Sequence, residues 1–239
     1  MNKALYAFAS FITLAFPRCT HAQRLLPDTT ALAIALVAPS HTTATASRLL
    51  SGTEYLDYSP SNTVGNQFYL SNTAQLGSIY YDGRYFTKVP LLYDLKLDQL
   101  ILSDTAHRVQ LRLVEERVAF FRLDGRHFVR LGADSATGMP TGFYQLLLDG
   151  RTQLLARRSK KVTEELVQQH LSFVYKENAR LFIRKEGKLI EVIKFKNLLD
   201  ALADRKGELQ KFARSNGLKF NSSARELSAV QLVSYYNSL

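Results

Sequence analysis

The 239-residue sequence holds one cysteine, no tryptophan and two methionines. A single thiol excludes a disulfide framework and any zinc or iron–sulfur centre held by several cysteines. Of the five histidines, the four beyond residue 22, His41, His107, His127 and His170, stand apart in sequence, without the i, i+4 or short-loop spacing of a metal site. There is no Gly-x-Ser-x-Gly elbow and no phosphate-cradling glycine loop. Asp94 and Asp98 flank Leu95-Lys96-Leu97, but this stretch lacks the dense oxygen ligands of a calcium loop, so the pair reads as a turn and strand end. Any Ser–His–Asp set would have to be assembled in space. No cofactor or catalytic residue is therefore assigned, and the sequence leans away from an enzyme.

What is present begins with a basic start at Lys3, then an uncharged apolar run over 4–16. Pro17 and Arg18 end it, and Thr20-His21-Ala22 offers small residues where a signal peptidase reads. Thirteen apolar residues fall short of the roughly 17–25 that span a bilayer, so 1–22 reads as a signal peptide cleaved after Ala22. Cys19 leaves with it. Residues 23–50 are an uncharged-rich Ala/Thr leader. Its apolar stretch, 31–38, is again too short to cross a membrane. The expected localisation is therefore exported, in the periplasm or on the outer cell surface.

The formal charge is +10, with 31 basic and 21 acidic residues. The excess is local: 23–150 is net −1, whereas 151–220 is net +9. The densest run is Arg157-Arg158-Ser159-Lys160-Lys161. In an exported chain the available polyanions are envelope components and acidic proteins rather than nucleic acid. Arg157, Arg158, Lys160 and Lys161 are thus the candidate anion contacts.

From 51 to 195 the signals are strands and tight turns. Asp-Gly occurs at 82–83, 124–125 and 149–150, with Glu186-Gly187 as a fourth turn. Such pairs favour the positive-φ geometry of hairpins. In 107–113, Val109, Leu111 and Leu113 alternate with Arg108, Gln110 and Arg112. Tyr80, Tyr81, Tyr85 and Tyr93 crowd one region as strand formers. After 196 the pattern is helical. One helix is predicted from an Asn197 cap to about Ser215, with Leu198, Leu199, Leu202, Leu209 and Phe212 on one stripe. A second opens at Ser223-Ala224-Arg225-Glu226, which has capping-box spacing. The predicted class is α+β: an antiparallel β-meander, curved or open and barrel-like, over 51–195, then a C-terminal two-helix hairpin over 196–239.

Three stretches carry a resemblance. Gly77-Ser78-Ile79-Tyr80-Tyr81-Asp82-Gly83-Arg84-Tyr85-Phe86 with Val89-Pro90-Leu91-Leu92-Tyr93-Asp94 is the first. Gly142-Phe143-Tyr144-Gln145-Leu146-Leu147-Leu148-Asp149-Gly150 is the second, and the ending Leu232-Val233-Ser234-Tyr235-Tyr236-Asn237-Ser238-Leu239 is the third. They resemble an uncharacterised family of exported Bacteroidota proteins with no established activity. The resemblance implies a Gram-negative envelope setting and transfers no catalytic residue. In that setting Asp28-Thr29-Thr30, Asp104-Thr105-Ala106 and Asp134-Ser135-Ala136 match a short O-glycosylation signal, making Thr29, Thr105 and Ser135 candidates; the same dipeptides also make turns. The functional expectation is an exported, non-enzymatic binding or scaffold protein whose basic C-terminal third meets an anionic partner. The alternatives are a carrier holding a small apolar ligand inside a curved sheet and, behind it, a periplasmic hydrolase.

Overall fold

The computed structural model describes residues 49–104, 108–135 and 138–239. The expected signal peptide, most of the leader, and His41, His107, Thr29 and Thr105 lie outside the described residues.

Among the described residues, twelve strands form one open sheet that does not close into a barrel. They are β1 (Thr53–Glu54), β2 (Thr63–Val64), β3 (Gln75–Tyr81), β4 (Arg84–Asp94), β5 (Gln99–Asp104), β6 (Val109–Arg112), β7 (Val118–Leu123), β8 (Arg126–Leu131), β9 (Gly142–Leu148), β10 (Thr152–Val167), β11 (His170–Lys185) and β12 (Lys188–Val192). Three helices follow: α1 (Phe195–Ala201), α2 (Lys206–Ser215) and α3 (Arg225–Ser238). The chain is broadly α+β.

The spatial order β1-β6-β5-β4-β3-β7-β8-β9-β10-β11-β12 departs from the single meander expected. One meander runs from β3 to β6; the chain then returns to the far side of β3 and a second runs from β7 to β12. The sheet is also mixed, because β2 pairs parallel to β11 through Phe173↔Thr63 and Val174↔Val64. The return from β6 to β7 passes four strand spacings, about 19 Å at ~4.8 Å each. Only 113–117 connect them, a reach of about 20 Å fully extended. The crossing is relaxed only if the sheet curls and the connection cuts across its end.

Inside the curl lies an aromatic core. Phe121 and Phe128 stack at 4.7 Å, and Tyr93 meets Phe121, Phe128 and Phe143 edge-on at 5.3, 5.4 and 5.9 Å. Alternation explains the tyrosines. Ile79 and Tyr81 point inward with no exposure, while Tyr80 points outward and stacks on Phe120 at 5.4 Å. A second core joins the sheet to the helices: Leu154, Ala156, Leu181, Ile183 and Val192 from β10–β12 pack against Leu198, Leu209, Leu232, Val233 and Tyr236.

Three of the four predicted turns have positive φ at both central residues: Asp82-Gly83, Asp124-Gly125 and Glu186-Gly187. Gln168-Gln169 turns the same way without glycine, at φ 50° and 66°. Asp149-Gly150 does not, because the C-terminal helix holds it. The Asn237 amide spans Thr152, accepting from its N–H at 3.0 Å and donating to its carbonyl at 2.8 Å. A side chain on Gly150 would meet the Asn237 amide.

The helix predicted over 197–215 is interrupted. Leu202, fully buried, leaves helical geometry at φ −113° and ψ 39°. The break sets Asp204 to accept from Tyr236 Oη at 2.8 Å and Lys185 Nζ at 2.7 Å. Asn197 does cap, but from the third helical position, accepting the Lys194 N–H at 2.9 Å. At α3, Asn221 accepts the Ala224 N–H at 2.9 Å and so replaces the expected serine cap; Glu226 instead pairs with Arg158.

Candidate functional site

The four sequence-selected basic residues sit on β10, where successive side chains point to opposite faces. They do not form one free cluster. Arg157 donates to Asp98 at 3.2 Å, and Arg158 pairs with Glu226 at 2.7 Å and Glu177 at 3.6 Å. Lys160 Nζ donates to the carbonyls of Asn66, at 2.9 Å, and Phe68. Burial lowers its pKa. Of the four, Lys161 alone is exposed.

The acidic pair is likewise occupied. Asp94, with no exposure, accepts four hydrogen bonds: from Tyr55 and Tyr58 hydroxyls at 2.8 Å each, and from the Lys96 and Leu97 N–H groups at 2.8 and 2.9 Å. Asp98 accepts from Tyr93 Oη at 2.6 Å, Arg157 at 3.2 Å and the Phe143 N–H at 3.3 Å. Burial outweighs these donors and pushes the Asp98 pKa up. Burial, then the Asp94 charge and hydrogen bond, raises Tyr58 well above the phenol range.

A raised carboxyl pKa means that the folded state binds the proton more tightly than the unfolded chain. The Asp98 contribution to stability is therefore fully present below about pH 4, the ordinary aspartate range, and is lost as pH rises through the folded value. Asp98→Asn is expected to remove that component. Urea titrations at several pH values check it: wild type should gain stability relative to the variant on acidification, and parallel profiles would refute it.

Other candidates are scattered. His127 lies edge-on to Phe120 at 5.3 Å, and burial lowers its pKa. His170 is exposed beside the β10–β11 turn, and Ser135 is exposed between β8 and β9. An open cleft of about 260 Å³ sets Glu115 and Glu116 beside Gln99 and Arg112, and its lining contains no histidine. Among the described residues no group of three His, Cys, Asp or Glu is placed to hold a metal ion, and no helix is long and apolar enough to cross a membrane.

The structure assembles a different basic surface. Lys194 caps the start of α1 and Phe195 and Lys196 are its first residues, while Lys219 and Phe220 lie between α2 and α3. The Phe195 and Phe220 rings stack at 4.5 Å, joining the two segments. Arg225 of α3 closes the group by donating to the carbonyls of Ala179, at 2.7 Å, and Ile193, at 3.4 Å. Lys194, Lys196 and Lys219 are exposed and make no ion pair among the described residues. The nearby acids are already engaged: Glu191 makes a two-pronged pair with Arg180 at 2.7 Å, and Glu226 holds Arg158. Two large apolar side chains on these segments are exposed: Ile193, next to Lys194, at 57%, and Leu227, two positions after Arg225 in α3, at 64%. The combination is uncompensated positive charge beside exposed hydrocarbon. The sequence signal was the repeated Lys-Phe pairing at 194–196 and 219–220, hidden because about 25 residues separate the two copies.

Comparison with protein-family models, with curated proteins and with solved structures finds no match.

Proposed function

We propose that the chain is an exported, non-enzymatic binding or scaffold protein of the periplasm or cell envelope. Its contact surface is the basic, apolar-tipped face around Phe195 and Phe220. The observation that carries this reading is the stack of Phe195 on Phe220, which joins two segments bearing the exposed Lys194, Lys196 and Lys219, none of them in an ion pair among the described residues, with exposed Ile193 alongside. Anionic groups displayed on an envelope surface or an acidic partner answer that chemistry: charge steers the approach and hydrocarbon adds contact. In this reading α2 and α3 form an antiparallel hairpin that braces the base of the β10–β11 pair and presents the face.

The carrier reading needs an interior with room for a ligand. The curl is instead filled by Tyr93, Phe121, Phe128 and Phe143, each at most 1% exposed. The hydrolase reading needs a nucleophile beside a base. The buried carboxylates Asp94 and Asp98 are held by tyrosine hydroxyls, backbone N–H groups and arginine, an arrangement that supports a structural role.

Binding to a heparin matrix and to vesicles of acidic phospholipid tests the proposal. Wild type should be retained at low salt and released as salt shortens the screening length from about 30 Å at 0.01 M to about 10 Å at 0.1 M. Lys194→Glu with Lys196→Glu and Lys219→Glu should abolish retention, whereas Lys161→Glu should change it little. Passage of wild type through both matrices at low salt refutes the anionic contact. Intact mass of the protein from its own host tests export: a chain starting at Gln23 supports it, and retained Cys19 overturns it.

A further inference from the structure

We infer that the distal half of the β10–β11 hairpin is a dimerisation edge, and that a second copy of this chain pairs with it antiparallel about a two-fold axis through Thr163.

The two strands pair without a break from Thr152↔Lys185 to Val167↔His170. At about 3.3 Å per residue, sixteen residues make an arm of roughly 50 Å. Only its base lies inside the sheet. The β9 partner of β10 stops at Ala156↔Gln145. Beyond it, among the described residues, one backbone bond closes the outer side of β10: the Lys160 N–H donates to the Leu95 carbonyl at 3.1 Å. From Lys161 to Val167 that side has no strand beside it among the described residues.

The Lys160 bond also fixes which groups face outward. In an antiparallel pair, the N–H and C=O of alternate residues point to the same side. The Lys160 N–H points away from β11, so the backbone groups of Val162, Glu164 and Leu166 do as well. Among the described residues these donors and acceptors have no strand partner, and they stand in line next to a leucine at 75% exposure, the pattern that sheet edges ordinarily avoid by being short or covered. β-Strand addition is the mode of association such an edge serves.

The charge pattern selects the occupant. Lys161 stands directly opposite Lys176. Lys176 pairs with Glu165, whereas Lys161 makes no ion pair among the described residues. Glu165 lies four positions along the same strand, with Thr163 midway. Its Oε1 accepts from Lys176 and, at 2.9 Å, from Thr163 Oγ1, so Oε2 is the oxygen that would meet the second copy's Lys161. The sequence Lys161-Val162-Thr163-Glu164-Glu165 is therefore self-complementary about Thr163. A two-fold axis there puts Lys161 of each copy opposite Glu165 of the other, twice. It also aligns Phe173, Glu164 and then the second copy's Val162 and Tyr175 in one cross-sheet row.

Neighbouring registers are worse. An axis through Glu164 sets Glu164 against itself, and one through Glu165 sets Glu165 against itself. An axis through Val162 leaves only three free positions, because Leu95 closes the edge at Lys160. The inference is independent of the basic face on the helices, which belongs to another element.

Two experiments on the full chain decide it. The first is sedimentation of wild type against charge variants. Wild type should dimerise. Lys161→Glu and Glu165→Lys should each weaken the dimer by about tenfold, the scale of two cross-strand charge pairs lost at a fraction of a kcal/mol each and replaced by repulsions. The double variant Lys161→Glu/Glu165→Lys should restore it. The second uses the scarcity of thiols. In a Cys19→Ser background, Thr163→Cys places two thiols on the axis in a non-hydrogen-bonded pair. Its Cα–Cα spacing of about 4.5 Å falls in the disulfide range of roughly 4.4–6.8 Å. Oxidation should give a covalent dimer readily from Thr163→Cys and poorly from Glu164→Cys. Monomers at the highest soluble concentration overturn the inference. So does a double variant as weak as the singles, or cross-linking that favours Glu164→Cys.

Discussion

Asp94→Ala is expected to lower the unfolding free energy by about 3–5 kcal/mol, because each buried donor left without a partner costs about 1–3 kcal/mol. Four donors converge on this carboxylate. Oδ2 accepts from the Tyr55 and Tyr58 hydroxyls, and Oδ1 from the Lys96 and Leu97 N–H groups that shape the β4–β5 turn. The residue has no exposure, so water does not replace what alanine removes. The carboxylate also joins distant segments. Tyr55 receives a second bond from Gln67 at 3.2 Å, and Gln67 accepts the Leu95 N–H through its carbonyl at 2.9 Å. Lys160 of β10 holds the carbonyls of Asn66 and Phe68 on the same stretch. The loss should therefore reach the base of the long hairpin as well as the turn. Tyr55→Phe removes one donor and leaves no orphan on the tyrosine, and should cost about 1 kcal/mol. Urea unfolding reads both through the transition midpoint at unchanged slope. A loss under about 1 kcal/mol for Asp94→Ala, less than one orphaned donor costs, would refute the hub.

Much of this fold is legible in the sequence because it rests on local rules. Asp82-Gly83 and Asp124-Gly125 turn as their backbone preferences dictate. The strand expected near 107–113 forms over Val109–Arg112, though Val109, Gln110 and Leu111 are all half-buried; Leu113, just past its end, is 1% exposed. What stayed hidden depends on contacts distant in sequence. Nothing near Asp149-Gly150 announces that Asn237, more than eighty residues later, will pair with the adjacent strand. Gln168-Gln169 turns without glycine because sixteen paired positions hold it. The return of β7 to β3 follows from a shared core rather than from any turn signal. The basic run at 157–161 misleads for a simple reason: density along a strand is not density on a face. Two adjacent arginines there point opposite ways and find different acids, whereas the segments that carry Lys194, Lys196 and Lys219 are joined by two stacked phenylalanines.

Gly142→Ala is the second substitution with a large expected effect, again about 3–5 kcal/mol, in the range reached only when backbone strain and a broken buried network combine. Gly142 opens β9 at φ +156°, where a side chain is strained whatever the space around it. There is also no space. A Cβ would overlap the Asp98 carboxylate and sit 3.2 Å from the Arg157 guanidinium. To admit it, Asp98 must leave the position in which it accepts from Tyr93, Arg157 and the Phe143 N–H. Tyr93 is 1% exposed at the centre of the aromatic core, so its hydroxyl would lose its partner out of reach of water. Glycines elsewhere supply the contrast. Gly83 also has positive φ, but nothing lies within 4 Å of an added Cβ, so Gly83→Ala should cost only the backbone strain, about 1 kcal/mol. Two further readouts tie the effect to Asp98. In an Asp98→Ala background the cost of Gly142→Ala should shrink by about 1–3 kcal/mol, the coupling expected of groups in direct contact. The acid-side gain in stability that Asp98 confers should also vanish in Gly142→Ala, since a displaced carboxyl regains water and its ordinary pKa. Additive costs and an unchanged pH profile would show that backbone strain alone is at work and that Gly142 does not seat the carboxylate.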